Sequence, residues 1–415
     1  MKRILLPVAL GAISCIAPTK SAPKGAATLG IAVLDSDYKS SSLSLVDNSG
    51  DKLAQDDCID SGSVAPVLSE AISGDVILPS AAQPGDALVL IDQTNSALIW
   101  VDPTHCAAQH DLSVATGFYA DPTDLVGIST TKAYVPRYLA NAMPSGMPGA
   151  FDEGNDLLII NPTTQTITGR IDLSSYATAA NGGSALVASP TRALLANGLV
   201  YVVLGNISAD DTNVGPGVIA IVDPETDTVT GTIELPTAKS CSQLAYVEAT
   251  HTLVVVCSGD YNQPLATQAA QSVVASYDIS GATPQLLHAV AGTTLGGRSI
   301  VNTLVAAVTE NDVIVATYGD IEMSAATPPA TPDQLWYVNL AAGTATKLED
   351  ADGSLVLGSA LYIPSQQEVL VADAGMSAPK LTVLDVSTPG TATVVNASIV
   401  PDPKAGLPPR YIAWY

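Results

Sequence analysis

The sequence predicts an all-β protein, a seven-bladed β-propeller of four-stranded antiparallel blades whose ring is closed by the C-terminal strand completing blade one. Three observations lead there. Apolar and polar residues alternate with period two along most of the chain, with Asn, Asp, Gly and Pro at the breaks and no long stretch of helical periodicity. An apolar run ending in Asp or Asn and followed by a turn occurs seven times, at intervals of 45 to 69 residues. The two chain ends also complement each other: the folded part opens on what reads as a second strand, "IAVLDSD", and closes on what reads as a first strand, "PPRYIAWY".

The elements follow in order. Blade one has "IAVLDSD" and then "LSLVDNSG", ending on Asp47; blade two has "DVILPSA" as second strand and "ALVLIDQTNS" as third, ending on Asp92. Blade three has "AYVPRY" and "LLIINPTTQT", ending on Asn161. In blade four "VYVVLGN" leads to "IAIVDPETDT", with Asp223 at the break and "TVTGTIEL" as the fourth strand. Blade five opens on "QLAYVEATH" and continues through "LVVVCSGD" to "VVASYDISGA" and Asp278. "VIVATYGD" and "LWYVNLAAGT" form blade six, ending on Asn339, and "ALYIPSQQ", "EVLVADAG" and "LTVLDVSTPG" form blade seven, ending on Asp385. Such sheets cannot bury both faces alone, but arranged radially each packs on its neighbours and only short edges stay exposed.

Ahead of the propeller, assigned to residues 28–415, residues 1–14 read as a signal peptide: Lys2 and Arg3, an apolar run too short to span a bilayer, then small residues. Cys15 follows, resembling the lipidated cysteine of a bacterial lipobox, although Ala12 stands where Leu is preferred. Residues 15–27 then form the lipidated Cys and a flexible Pro-, Ala- and Lys-rich tether. The expected location is the bacterial envelope, anchored by lipid to the outer membrane, periplasmic or surface-exposed, as a monomer.

Using Cys15 for the anchor leaves Cys58, Cys106, Cys241 and Cys257, an even set suited to an oxidising compartment. Cys241 and Cys257 flank the turn "VEATH"; setting Tyr246 opposite Thr252 brings the two cysteines opposite each other, within disulfide reach. The remaining pair, Cys58 with Cys106, would tie blade one to blade two through their outer strands or the loops that follow them.

Of 415 residues, 13% are charged and 47% apolar, and the formal charge is −24. That balance repels nucleic-acid phosphates, and no basic, aromatic-interleaved patch offsets it. Long second-to-third loops in blades three to six fall on one face, where function is expected. Asp35, Asp37, Asp152, Glu153, Asp156, Asp210, Asp211, Asp260, Asp320, Glu322 and Asp373 lie in or beside loops of that face. Oxygen-rich loops suit Ca²⁺, with Asp152, Asp156, Asp210, Asp211, Asp260 and Asp320 as candidate ligands, set against a solvated acidic rim; "EDADGS" at 349–354 is only a fragment of a Ca²⁺ loop. The four His are scattered, His105, five residues from His110, reads as a surface loop residue, and no nucleophile elbow, P-loop or haem attachment sequence is present.

"VIAIVDPETDTVTGTIELP" resembles the characteristic strand pair of the YVTN-repeat, lactonase-like seven-bladed propellers. "DPTDLVGISTTKAYVPRY" is similar to that family's inner strand leading into its Tyr-Val strand. The resemblance covers most of residues 28–415 and is close in blades three and four. It implies a hydrolase alternative with a site at the central channel mouth, where Asp124 and Arg410 begin inner strands and Arg137 and Arg298 lie nearby; no lactonase site motif assigns catalytic residues. The first expectation is an envelope-anchored binding or interaction module acting through the acidic long-loop face on an envelope protein or a small ligand.

Overall fold

The computed structural model describes residues 30–178, 182–319 and 331–415. Seven four-stranded antiparallel sheets are arranged as the blades of a propeller. Blade one takes its inner strand from the C-terminal end, Pro409–Trp414, which pairs with Ile31–Ser36 in the register Ile31 opposite Trp414. Ser41–Val46 and Leu53–Asp60 complete it. Counted from the channel outward, blade three runs Val126–Ser129, Lys132–Ala140, Gly154–Asn161 and Thr166–Asp172. Blade four runs Pro190–Ala196, Leu199–Leu204, Pro216–Asp223 and Thr228–Lys239, so the "VIAIVDPETDTVTGTIEL" segment is its third and fourth strands.

The period-two pattern has a direct structural cause. Buried apolar side chains form seven clusters, one in each interface between neighbouring blades. In blade two, Leu88 and Leu90 face blade one while Val89 and Ile91 face blade three. Middle strands are therefore apolar on both faces, whereas outer strands such as Thr228–Lys239 alternate exposed and covered positions.

The recurring Asp or Asn also has a cause. Its side-chain oxygen accepts backbone N–H groups two or three residues on, as Asp223 does from Glu225 at 2.8 Å, Asn161 from Thr163 at 3.0 Å and Asp278 from Ser280 at 2.8 Å. These Asx turns compensate backbone donors that the tight connection leaves unpaired. In blades three and four the turn ends on a left-handed residue, Gln165 or Asp227, and the ladder bulges just beyond.

Two assignments are corrected. In blade two, Val76–Ile77 is the inner strand, Leu88–Asp92 the second, and Ala97–Asp102 the third. Asp92 imitates the repeat because it too caps a turn, accepting from Asn95 N at 3.0 Å. The true equivalent is Asp102, followed by Pro103 as Asp223 is by Pro224, and the seven copies are then 46 to 62 residues apart. In blade five the hairpin pairs Val247, not Tyr246, with Thr252. A bulge between Cys241 and Gln243 absorbs the extra residue and still sets Cys241 opposite Cys257. Both disulfides are present, Cys241–Cys257 within blade five and Cys58–Cys106 between the outer strand of blade one and the turn before the outer strand of blade two.

Candidate functional site at the channel mouth

Inner strands begin, and second strands end, on the face that carries the long connections. There they surround a cavity of about 860 Å³ to which all seven blades contribute. Ile77 and Gln93 come from blade two, Asp121, Thr123 and Tyr138 from blade three, and Thr191, Arg192 and Ile207 from blade four. Blade five supplies Ser240 to Ser242, Tyr261 and the short helix Leu265–Gln271, blade six Arg298, Asn302, Thr303 and Tyr318, blade seven Leu355, and the closing strand Tyr411. The helix lies close over Gly259, which holds φ 84°; a Cβ there would come within 2.2 Å of the Gln268 carbonyl oxygen.

Arg192 was not anticipated. It projects from the inner strand of blade four and donates from Nη1 to Leu78 O at 3.1 Å and Thr123 O at 2.9 Å, with the Tyr411 ring 5.9 Å away. One side chain thus ties the inner strands of blades two, three and four and reaches toward blade one. Its signal was positional: it lies near the start of an inner strand, as Arg298 and Arg410 do.

Asp121 is the acid of the cavity. Burial and the nearby Asp75 push its carboxyl up to about 6, opposed by a hydrogen bond from Gln93 Nε2 at 2.9 Å. Burial and neighbouring acids likewise push Tyr138 up to about 12, and burial raises Tyr411 to about 12. A carboxyl poised near 6 in a cavity that Arg192 and Arg298 also line can exchange a proton near neutral pH.

The four residues expected at this mouth divide. Arg298 lines the cavity and donates to Pro332 O at 2.8 Å. Arg410 donates to Ser36 O and Leu355 O and stacks over Tyr38. Asp124 is fully buried, accepting from Ser80 N, Ser80 Oγ and Ala193 N, and so clips three inner strands together. Arg137 is fully buried on Asp156, with Val114 O, Thr116 Oγ1 and Phe151 O taking further N–H groups.

Of the acids considered as Ca²⁺ ligands, Asp156, Asp210 and Asp260 spend their carboxylates on protein donors, Asp152 spends one oxygen so, and Asp211 is exposed. Asp156 accepts from both Arg137 and Arg170, and Asp260 pairs with Lys239 at 3.2 Å. Asp210 accepts three hydroxyls, from Ser184, Ser208 and Thr212, which hold its carboxyl well below the usual carboxylate range. Asp152 accepts from Ser145 N at 2.7 Å, and the Asp211 carbonyl takes Tyr261 and Asn262. Among the described residues no three His, Cys, Asp or Glu side chains gather as a metal-binding set. Asp320, Glu322 and Cys15, with the rest of the expected signal and tether, lie outside the described residues.

No family profile matches the chain, and no curated protein matches it. Solved structures do. A protein of Bacteroides fragilis, provisionally named a 6-phosphogluconolactonase, is similar over 95% of this chain and 100% of its own, at 10% identity and a TM-score of 0.56. One of Bacteroides uniformis with the same provisional name covers 93% and 100%, at 11% identity and a TM-score of 0.54. The Cps50 (Swd1) β-propeller domain of Myceliophteria thermophila covers 89% and 99%, at 12% identity and a TM-score of 0.53. At such identities the likeness is one of fold.

Proposed function

We propose that this propeller is a binding module of the cell envelope, held by a lipid on Cys15, and that it works through its long-loop face by taking a small ligand into the channel mouth. The observation that carries this reading is the cavity itself: about 860 Å³, with Ile77, Ile207, Leu265 and Leu355 among hydroxyl and amide side chains, which is the composition of an orienting small-molecule site. The acidic rim is then the solubilising border of the site. The test is calorimetric titration with a panel of neutral and acidic sugars and their lactones, against wild type and Thr303→Trp. Thr303 lines the cavity and meets its blade-five neighbour through its backbone carbonyl, so a bulky side chain there obstructs the cavity and leaves that contact. Binding by wild type that Thr303→Trp abolishes at unchanged melting temperature supports the reading; binding unaffected by the substitution refutes it.

A second reading, lactonase-like hydrolysis, is favoured by one observation, the carboxyl of Asp121 at about 6 in the same cavity as Arg192 and Arg298. The YVTN-repeat resemblance and the two Bacteroides neighbours point the same way. Asp121 would act as general base toward water, with a guanidinium polarising the lactone carbonyl. Asp121→Asn separates the readings: a hydrolase loses turnover and keeps affinity, whereas a binding module shows no turnover in either form.

A further inference from the structure

Asp35 is the penultimate residue of the strand Ile31–Ser36, the one that pairs with the closing strand, and sits where the ladder shifts register, opposite Pro409. Its side chain is completely buried. Oδ2 accepts one hydrogen bond, from Ser44 Oγ at 2.9 Å, and Oδ1 has no partner. A buried carboxylate with an unmet oxygen is costly, whereas the neutral acid leaves far less unsatisfied. The charged groups around it do not relieve the problem. Asp402, itself buried in the segment entering the closing strand, has its oxygens on the backbone N–H groups of Ala405 and Leu407 and adds like charge. Lys404 pairs with Asp57 at 2.9 Å. Arg410 points its N–H groups at Ser36 O and Leu355 O. From blade two comes Gly74, whose carbonyl takes Ser36 Oγ, followed by another acid, Asp75.

Blade seven shows the same design with a cation added. Asp373 ends the equivalent strand and accepts a hydroxyl from Thr382 nine residues on, as Asp35 does from Ser44, but it also accepts from Gly375 N and has Lys380 at 4.0 Å. The equivalent of Lys380 in blade one is Ser42.

We infer that Asp35 is a pH-sensitive latch on the ring closure: as the neutral acid it is accommodated beneath the joint between Ile31–Ser36 and Pro409–Trp414, and as the anion it faces Asp402 uncompensated and loosens that joint. Burial, with Asp402 adding to it, holds the Asp35 carboxyl well above the usual carboxylate range. For an acid whose folded-state pKa is raised, the stabilisation is complete below the ordinary carboxylate pKa and is lost as pH rises through the folded-state value. The closure is therefore tighter on the acidic side of that value than on the alkaline side. The consequence is local, because the other six blades are each built from one contiguous stretch of chain.

The test is amide hydrogen exchange of 31–36 and 409–414 between pH 5 and 9, corrected for intrinsic rates, in wild type, Asp35→Asn and the control Asp373→Asn. Wild type should lose protection with pH, up to about tenfold for each unit across the window. Asp35→Asn should stay flat, and Asp373→Asn should follow wild type. Equal profiles in wild type and Asp35→Asn overturn the inference. Infrared titration of a protein carrying Asp75→Asn, Asp121→Asn and Asp373→Asn, the other Asp residues whose carboxyls burial raises, gives an answer that does not depend on the Asp35 variant folding: a carboxylic acid carbonyl band persisting well above the ordinary carboxylate range is expected, and its absence overturns the latch.

Discussion

Arg137 and Asp156 lie directly opposite each other on the second and third strands of blade three, both wholly buried, joined by Nε to Oδ1 at 2.8 Å and Nη2 to Oδ2 at 2.7 Å. Arg170 adds a second guanidinium to the same carboxylate. Removing one partner strands a buried charge, so Asp156→Leu should cost about 3–5 kcal/mol in urea unfolding, while Arg137→Met combined with Asp156→Leu should recover part of that loss. An additive double variant would mean the two charges do not act as a pair.

The disulfides should differ in accessibility. Cys241 and Cys257 are both fully buried, whereas Cys106 is partly exposed in a turn. Under native conditions a small thiol reductant should open Cys58–Cys106 first, as read by mass tagging of free thiols over time. In the chain-entropy picture that link, with a sequence separation of 48, contributes about 4 kcal/mol, against about 3 kcal/mol for the link in blade five with its separation of 16.

Asp121 should leave a signature in the pH dependence of stability. Its carboxyl is raised to about 6, so its contribution is complete below the ordinary carboxylate pKa and declines as pH climbs to about 6. Melting curves of Asp121→Asn should lack that decline. If the protein hydrolyses a lactone, kcat should rise with pH through the same region, since the base works deprotonated.

Melting in Ca²⁺, Mg²⁺ and NaCl at matched ionic strength should give equal shifts, because Asp156, Asp210 and Asp260 are held by Arg137, Arg170, Lys239 and local hydroxyl donors and no three acids gather among the described residues. A shift peculiar to Ca²⁺ would point to ligands that include residues such as Asp320.

Intact-mass analysis of membrane-extracted protein should find the mature chain starting at lipidated Cys15. A different start without added lipid mass removes the anchor from the proposed function.

The blades were legible because their chemistry is local. Alternation reports which face each residue presents, and Asp223 or Asn161 marks a turn by bonding its own next residues. Blade two misled because Asp92 does the same work in a different connection. The Cys241–Cys257 pairing survived a one-residue error at the turn, since the bulge beside Ser242 cannot be counted from alternation. The site was less legible. Arg137 and Arg192 both sit in strands near the mouth, and only the packing of distant blades decides that Arg137 is engulfed while Arg192 spans the channel. Asp35 and Asp156 look alike in sequence as well; one lacks a cation because position 42 is Ser, the other meets two.

Ring closure also sets an order of events in folding. Each of blades two to seven can assemble from strands that follow one another, so its pairing costs little chain entropy. Blade one must bring Arg410 to Ser36 across 374 residues. Such long-range pairing is slow, because the entropy of closing the loop is lost before any contact rewards it. Until that pairing forms, the side of Ile31–Ser36 that faces Pro409–Trp414 is an open edge, and that edge is where an encounter between two chains would exchange closing strands.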